Sequence, residues 1–245
     1  VVVPVAGVLF VFILLLLFLY PVFSRLFNKF TPLEEGELRD KLSGLLASHG
    51  YSVRAIEVMD ASRRTSKANA YFTGYGKMKT IVLFDTLLEK LNPDEICAVF
   101  AHELGHGLHK DTLKGQIMTS VQMLILSVLA WLTLRTTAIF ADCGFEKINY
   151  GFAVILIMAV EFALIAPLYG ILVNYLSRSH EYRADRQAVS EGYGPALISG
   201  LKKLTQADFG DVAPSPALVT LEFSHPPLSQ RIDTIERELA KGHKQ

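Results

Sequence analysis

Three long apolar blocks constrain this chain more than any other feature of its sequence. Residues 1–20 and 115–134 carry no charged side chain, and residues 151–177 carry only Glu161. A helix needs about 20 apolar residues to cross the roughly 30 Å hydrocarbon core of a bilayer, so each block is long enough. Buried helices of a soluble protein are the alternative, but such helices seldom run this far without a polar face. We therefore expect an integral, multi-pass membrane protein in contact with lipid.

The first block does not have the form of a secretory signal, because it lacks a basic start and a small-residue cleavage site. The chain begins at a valine without a methionine, so we expect it to start inside a transmembrane helix. The predicted organisation is a transmembrane helix over 1–24, a soluble part over 25–114, a transmembrane helix pair over 115–177 and a C-terminal helical region over 178–245.

The charged residues do not favour nucleic acid as a partner. Lysine plus arginine number 24, as do aspartate plus glutamate, so the chain has no overall basic field. The two cysteines, Cys97 and Cys143, flank the second block and so fall on opposite sides of the expected membrane. A disulfide between them is not expected.

The segment between the first two blocks contains helix and strand signals. Thr31 and Pro32 followed by Glu34 predict a helix start with a capping box, and leucines along one face continue that helix to Gly50. Residues 53–59 and the pair NAYFTG and KTIVLFD, joined by a GYGKM turn, predict strands. The soluble part is therefore expected to hold a helix and a small sheet.

A second helix start lies at Asn92, where Pro93 and two carboxylates follow the cap residue. The stretch AHELGHGLHK falls inside this helix. Residues four apart share a helix face, so His102 and His106 can bind one zinc ion at about 2.0–2.1 Å from each nitrogen. Glu103 has the position of the general base in the His-Glu-x-x-His pattern. His109 lies about 10 Å along the axis from the first histidine and is not expected to be a ligand.

A third ligand decides between a catalytic zinc and a helix that merely buries histidines. The stretch SRSHEYRADRQAV follows the third block and returns to the same membrane side after two crossings. Glu181 would complete a His2Glu site with an open position for water, and Asp185 could accept a hydrogen bond from a ligand imidazole. Two alternatives stay open. His180 could be the third ligand, or the carboxylates could pair with Arg183 and Arg186 on a solvated face.

Several motifs in this order resemble the zinc-dependent CAAX prenyl proteases (type 1), a family of integral-membrane metalloendopeptidases. The resemblance spans nearly the whole chain, although members of the family carry further transmembrane helices before the point where this chain starts. The motifs are AHELGH, HEYRAD, ANAYFTGYGKMKTIVLFDTLL, FNKFTPLEEGELR and SHPPLSQRI. The implied fold is mainly α, with transmembrane helices and a gluzincin-like zinc metalloprotease domain that includes a small β-sheet or hairpin.

The resemblance also implies a role for each matching residue. One zinc ion would be bound by His102, His106 and Glu181, and Glu103 would be the general base. Asp185 would belong to the catalytic set, His225 and Arg231 would lie near the reacting carbonyl, and Asn69 and Ala70 would hold substrate. The substrate would be a peptide or protein, including a lipidated one.

Physical reasoning supports two of these implied roles. An edge strand beside the metal helix can bind an extended peptide through backbone hydrogen bonds, and ANAYF is a candidate for that strand, although an ordinary hairpin fits the sequence equally well. His225 precedes two prolines that start a polar helix over 226–241, where a histidine could donate to a developing oxyanion.

Glu161 should face protein or water rather than lipid, and Pro167 is expected to kink its helix.

Lysine and arginine are distributed unequally about the spans. The side that carries the predicted metal site is the richer one, and excess positive charge marks the cytoplasmic side. That side has Arg25, Lys29, Lys110, Lys114, Arg178, Arg183 and Arg186, against Arg135 and Lys147 on the other. The active site is therefore expected to be cytoplasmic, in a bacterial inner membrane or the endoplasmic reticulum membrane.

Three functions fit the sequence. The first is a membrane zinc endopeptidase like the CAAX proteases, and the second is a broader protease for membrane-protein quality control. The third is a catalytically silent scaffold that keeps zinc for structure. Glu103 favours an enzyme, because a structural site has no use for a carboxylate beside an open metal position.

Overall fold

The computed structural model describes Val11, Leu19, Phe23 and residues 25–73, 78–207 and 214–242. The predicted first transmembrane helix and the GYGKM turn lie almost entirely outside these described residues. What is described is mainly helical with one small sheet, which confirms the predicted fold class.

The sheet contains four strands in the order β1-β2-β4-β3. Its strands are β1 (Phe30–Pro32), β2 (Ser52–Met59), β3 (Ala70–Thr73) and β4 (Met78–Phe84). The outer pairs β1/β2 and β3/β4 are antiparallel, whereas the central pair β2/β4 is parallel. The predicted strands are confirmed, and β3 is at an edge of the described sheet, where β4 is its one neighbour among the described strands.

The predicted start of the first helix is wrong. Phe30–Pro32 forms the edge strand β1, and the helix α1 covers Glu37–Ser48 instead. Proline is tolerated at a sheet edge, where its missing N–H costs no ladder hydrogen bond. The prediction of the helix end is confirmed, because Gly50 has a left-handed φ of 72° and its N–H donates to the Ala47 carbonyl.

The main core lies between the sheet and the helices that follow it. After α2 (Asp85–Lys90), the long helix α3 (Pro93–Leu108) packs against β3, and helices α8 (Gly194–Ala207) and α10 (Leu228–Gly242) close the other side. The short helix α9 (Pro216–Glu222) lies between α8 and α10 in the chain. The fully buried side chains of this core are Leu42, Leu46, Ile81, Leu83, Leu87, Ile96, Phe100, Leu104, Leu197 and Ile235.

The N-terminus of α3 is fixed at the predicted cap residue, Asn92, where the structure forms a capping box. The Asn92 side chain accepts from the Glu95 N–H at 2.9 Å, and the Glu95 carboxylate accepts from the Asn92 N–H at 2.9 Å. Glu95 is buried, and it also accepts from Ser199 and Lys203 of α8, each at 2.7 Å. Helix α3 is thereby anchored to α8 as well as to the sheet.

Within the part of the chain that the structure describes, two helices are long and apolar enough to cross a membrane. The first is α4 (Asp111–Arg135). The second runs without a break from Tyr150 to Ser190 and consists of α6 (Tyr150–Val160), a π-helical turn (Glu161–Ile165) and α7 (Ala166–Ser190). Between them lies the short helix α5 (Thr137–Asp142). Many large apolar side chains of both long helices are exposed, as expected for surfaces that meet lipid.

The polar and proline positions inside the second long helix are accommodated locally. Glu161 is buried and accepts a 2.8 Å hydrogen bond from Gln122 Nε2 of α4, so it faces protein as predicted. The π-helical turn ends two residues before Pro167, and the N–H of Ala166 donates to the carbonyl of Glu161. A widened turn at this point relieves the crowding that a proline ring imposes on the preceding turn.

Candidate metal centre

Helices α3 and α7 bring the predicted donors together because small residues line their contact. A Cβ placed on Gly105 would lie 2.9 Å from Ala184 Cα and 3.0 Å from Gln187 Cβ. The backbones therefore approach more closely at this turn than any larger side chain would permit. His102 and His106 flank Gly105 on α3, and Glu181 lies one turn before Ala184 on α7.

The other side of α3 is held by β3. A Cβ on Gly107 would overlap the ring of Phe72, which therefore lies directly on the helix backbone. The same ring makes an edge-on contact with Phe100, with centroids 6.1 Å apart. The glycines at 105 and 107 thus let α3 fit tightly between α7 and the sheet.

The three donor side chains have the spacing of a metal site. The Nε2 atoms of His102 and His106 are 3.2 Å apart, and the carboxylate oxygens of Glu181 lie 3.5 Å and 3.3 Å from them, respectively. Donors at about 2.0–2.1 Å from a tetrahedral zinc ion are separated by about 3.3–3.4 Å. The donor set therefore fits a tetrahedral ion with a fourth position left for another ligand.

The hydrogen bonds of the two histidines point to a cation between them. His102 Nδ1 lies 2.8 Å from Asp185 Oδ1, and His106 Nδ1 lies 3.1 Å from Asp111 Oδ2. Since each Nδ1 donates to a carboxylate, a neutral ring presents a lone pair at Nε2. Two such lone pairs 3.2 Å apart repel each other unless a proton or a metal ion lies between them.

The electrostatics of His106 agree with that inference. Burial lowers the pKa of His106, but its contacts with Glu181 and Asp111 outweigh burial and raise the pKa to about 9. The same carboxylates that make a proton favourable here would favour a metal cation.

A cavity of about 810 Å³ opens beside the donors. Its wall includes Glu103 and His106 of α3, and Glu181 of α7. Burial raises the pKa of Glu103, with smaller opposing contributions from the two histidines beside it. A half-buried carboxylate at the cavity wall, next to a metal position, is placed to exchange a proton with a molecule in the cavity.

Away from the donors, the cavity continues between α4 and α7. The apolar part of its wall is formed by Ile117, Met118, Val173 and Leu176. Two polar contacts join the helices farther along: Tyr169 OH donates to the Met118 carbonyl at 2.5 Å, and Gln122 donates to Glu161. The cavity therefore extends from the donor set into the apolar segments.

Arg231 of α10 lies behind His102 and not on the cavity wall. Its Nε and Nη2 donate to the two oxygens of Asp185 at 2.9 and 2.6 Å, and its Nη1 is 3.4 Å from Glu181 Oε2. Burial lowers the pKa of Arg231, but Asp185 outweighs burial and raises it. Its expected part in stabilising an oxyanion stays a prediction, since the described contacts all go to carboxylates and to His102.

His225 reaches the site from the loop before α10. Its Nδ1 is 3.0 Å from Glu181 Oε1, its side chain is 67% exposed, and it lines the cavity. The hydrogen bond to Glu181 raises the pKa of His225 despite partial burial. The helix that follows begins at Leu228, two residues later than predicted.

Asn69 and Ala70 lie at the outer edge of the sheet. Asn69 is exposed and its side chain accepts from the Ala70 N–H at 2.9 Å, whereas the side chain of Ala70 is buried. Neither is part of the described cavity wall. Any contact between Ala70 and a substrate would therefore have to use its backbone.

The alternatives considered for the third ligand receive no support from the geometry. His180 turns toward Asp111, with Nδ1 3.7 Å from Oδ1, and Arg186 is exposed. Arg183 pairs with Asp111, not with either predicted carboxylate. His109 ends α3 outside the donor group, as expected.

Asp111, the residue that organises this side of the site, was missed by the sequence reasoning. Asp111 follows His106 by five residues, so in a continuous helix the two side chains would point about 140° apart around the axis and would not meet. The sequence gives no sign that the helix breaks at residues 109 and 110.

A His-Glu-x-x-His helix with a glutamate from a second helix is the donor arrangement of gluzincin-type zinc peptidases. The chain matches Peptidase family M48 over residues 32–239, and it belongs to that family.

Named relatives and one solved structure resemble most of this chain. The CAAX prenyl protease 1 homolog of Oryza sativa subsp. japonica is 36% identical over 237 residues, covering 94% of this chain and 54% of the relative. CAAX prenyl protease 1 of Saccharomyces cerevisiae is 34% identical, covering 93% and 54%, respectively. The crystal structure of S. mikatae Ste24p superposes with a TM-score of 0.83 at 33% identity, covering 96% of this chain and 58% of that one. The chain thus spans about half the length of these relatives.

Replacing Gly105 by alanine should weaken metal binding. The added methyl group meets backbone of α7, so the two helices must separate, and overpacking of this kind costs about 1–3 kcal/mol. We expect a lower zinc content after dialysis and a lower unfolding midpoint. Gly44→Ala is the matched control, because a Cβ there meets nothing within 4 Å. Full zinc retention in Gly105→Ala would contradict the role given to this contact.

Proposed function

We propose that the protein is a membrane-embedded zinc metalloendopeptidase that hydrolyses peptide bonds. The observation that carries the proposal is the donor set of His102, His106 and Glu181, with Glu103 beside it at a cavity wall. A structural zinc site closes all four positions with protein ligands, whereas this set supplies three. Membership of Peptidase family M48 agrees with this chemistry.

Each residue of the site has a proposed task. Zinc held by the donor set would polarise the scissile carbonyl and bring the pKa of water toward about 7. Glu103 takes a proton from the attacking water and passes it to the leaving amine nitrogen. Its raised pKa suits this task, because a base with a pKa nearer the working pH both accepts and returns the proton readily.

The remaining residues orient and stabilise the reacting groups. His225 is directed toward Glu181 through Nδ1, and this contact favours the protonated ring, whose Nε2–H can donate to the carbonyl oxygen as negative charge develops there. Asp185, held by two bonds from Arg231, fixes the ring of His102. The outer edge of β3 at Asn69 and Ala70 would add a peptide strand through backbone hydrogen bonds.

The substrate class we favour is a lipidated peptide or protein, as in the processing of prenylated C-termini. The cavity joins a polar end at the donors to an apolar end lined by Ile117, Met118, Val173 and Leu176. A substrate with a scissile amide near a hydrocarbon chain matches that distribution. The CAAX prenyl protease names of the relatives point to the same class. A broader quality-control protease is the second candidate, because hydrogen bonds to an edge strand do not read side chains.

The zinc and base assignments can be separated by single substitutions. Glu103→Gln should keep one zinc ion per chain while peptide cleavage falls about 10²–10⁴-fold, as is typical of general-base loss. Glu181→Ala should lose zinc. His180→Ala is the matched control, since it removes an imidazole from the same helix and cavity and should retain the metal. Wild-type turnover in Glu103→Gln would reject the proteolytic mechanism.

The substrate class can be tested with a matched pair of peptides. A peptide that carries a farnesylated cysteine near its C-terminus should be cleaved with a higher kcat/KM than the same peptide with an unmodified cysteine. Burial of the added apolar chain contributes about 0.8 kcal/mol of binding free energy per CH₂ group, but only if the chain enters the cavity. Equal kcat/KM values for the two peptides would favour the quality-control function.

We propose a multi-pass topology with the active site on the cytoplasmic side, supported by the distribution of lysine and arginine. Native Cys143 is exposed and unpaired in the segment that joins the two spans. In intact bacterial cells that express the protein in the inner membrane, Cys143 should react with a membrane-impermeant maleimide. Lys29→Cys in a Cys143→Ser background should react only after lysis. The reverse pattern would place the active site outside the cytoplasm.

A further inference from the structure

The carboxylate of Asp111 joins three helices beside the donor set. It is the first residue of α4 and is buried. Its Oδ2 lies 3.1 Å from His106 Nδ1 on α3, and its Oδ1 accepts from Arg183 on α7 and from Lys114 at 3.2 Å. His180 also faces it, at 3.7 Å. The proposed mechanism of peptide hydrolysis assigns no task to Asp111.

A break between α3 and α4 brings Asp111 to His106. Helix α3 ends at Leu108, and α4 begins after two residues. Lys110 has φ 56° and ψ 39°, the left-handed conformation that non-glycine residues seldom adopt. This break turns the backbone so that the first residue of α4 lies over the second histidine of α3. An uncommon backbone conformation held in place by its surroundings is often associated with a functional site.

The two donor histidines are held in the same way by different elements. Asp185 holds His102 and is itself held by Arg231, whereas Asp111 holds His106 and is itself held by Arg183. Each ring therefore has an Nδ1–carboxylate contact backed by an arginine. Such outer contacts fix the tautomer and the direction of a metal-binding imidazole.

We propose that Asp111 is a positioning residue that fixes the Nε2 lone pair of His106 on the metal and ties its direction to helices α4 and α7. This inference rests on the zinc site of the proposed function. Because α4 and α7 also form the cavity wall, the direction of His106 depends on the same two helices that a substrate would contact.

The test measures zinc binding in the intact protein with no need for turnover. Asp111→Ala should weaken zinc about 10–100-fold in a chelator competition, the range found for outer contacts of metal ligands. Asp111→Asn should lie between Asp111→Ala and wild type, because its amide oxygen can still accept from Nδ1–H. The Co²⁺-substituted protein should show an altered visible spectrum in Asp111→Ala, since the geometry of the donor set changes.

Asp85→Asn is the control for a structural effect. Asp85 accepts from the backbone N–H groups of Ala61, Ser62 and Thr86 in the same soluble part, away from the donors. This variant should lower the unfolding midpoint of the zinc-free and zinc-loaded protein alike. In Asp111→Ala the increment in unfolding midpoint given by zinc should itself shrink.

The outcomes distinguish this inference from the function on which it rests. Wild-type zinc affinity and an unchanged cobalt spectrum in Asp111→Ala would overturn the positioning role and leave the zinc site intact. If Asp111→Ala does not fold, wild-type affinity in Asp111→Asn with an unchanged cobalt spectrum would overturn it equally. A wild-type protein that binds no zinc would overturn both proposals.

Discussion

The contact between α3 and α7 at Gly105 is the constraint on which the rest of the site depends. Two donors lie on α3 and the third lies on α7, so the three donors form a metal site only where these helices are in contact. Burial of apolar area favours the association but does not set its distance. The absence of a side chain at Gly105 and the single methyl of Ala184 set that distance, because larger groups would keep the helix axes apart. A packing detail therefore determines the separations of 3.2–3.5 Å between the donor atoms.

Many ionisable groups can be buried together at this site because arginine and lysine side chains neutralise most of the carboxylates. Isolated buried carboxylates are costly, but Asp185 is bonded by Arg231, and Asp111 is bonded by Arg183 and Lys114. Glu181 lacks a close partner of this kind: Arg231 is 3.4 Å from it, and its nearest contacts are imidazoles. The negative charge left over is thus concentrated at the donor set. A divalent cation placed there completes the balance that the surrounding arginines leave open.

Local rules in the sequence predicted the metal helix well. The helix start at Asn92 and the i,i+4 histidines depend only on neighbouring residues, and both appear as expected. The same rules failed at Thr31 and Pro32, where a capping pattern was overridden by pairing of β1 with β2, about 27 residues away along the chain. Asp111 could not be predicted, because its contact with His106 depends on a left-handed residue that the amino-acid sequence does not reveal. Pairing with a distant strand determined the first outcome, and a local backbone conformation determined the second.

The length of the second long helix connects the metal centre to the apolar segments. From Tyr150 to Ser190 it comprises 41 residues, about 60 Å at 1.5 Å per residue, which is roughly twice a bilayer core. Glu181 lies four residues past the end of the apolar block, and Asp111 lies four residues before the start of the other one. Four helical residues correspond to about 6 Å. Both helices therefore carry site residues within about one turn of their apolar blocks, and the cavity between them runs from polar to apolar surface. One uninterrupted helix, α7, therefore carries both an apolar wall of the cavity and a donor, so the position of the Glu181 carboxylate relative to that wall is fixed by the helix itself.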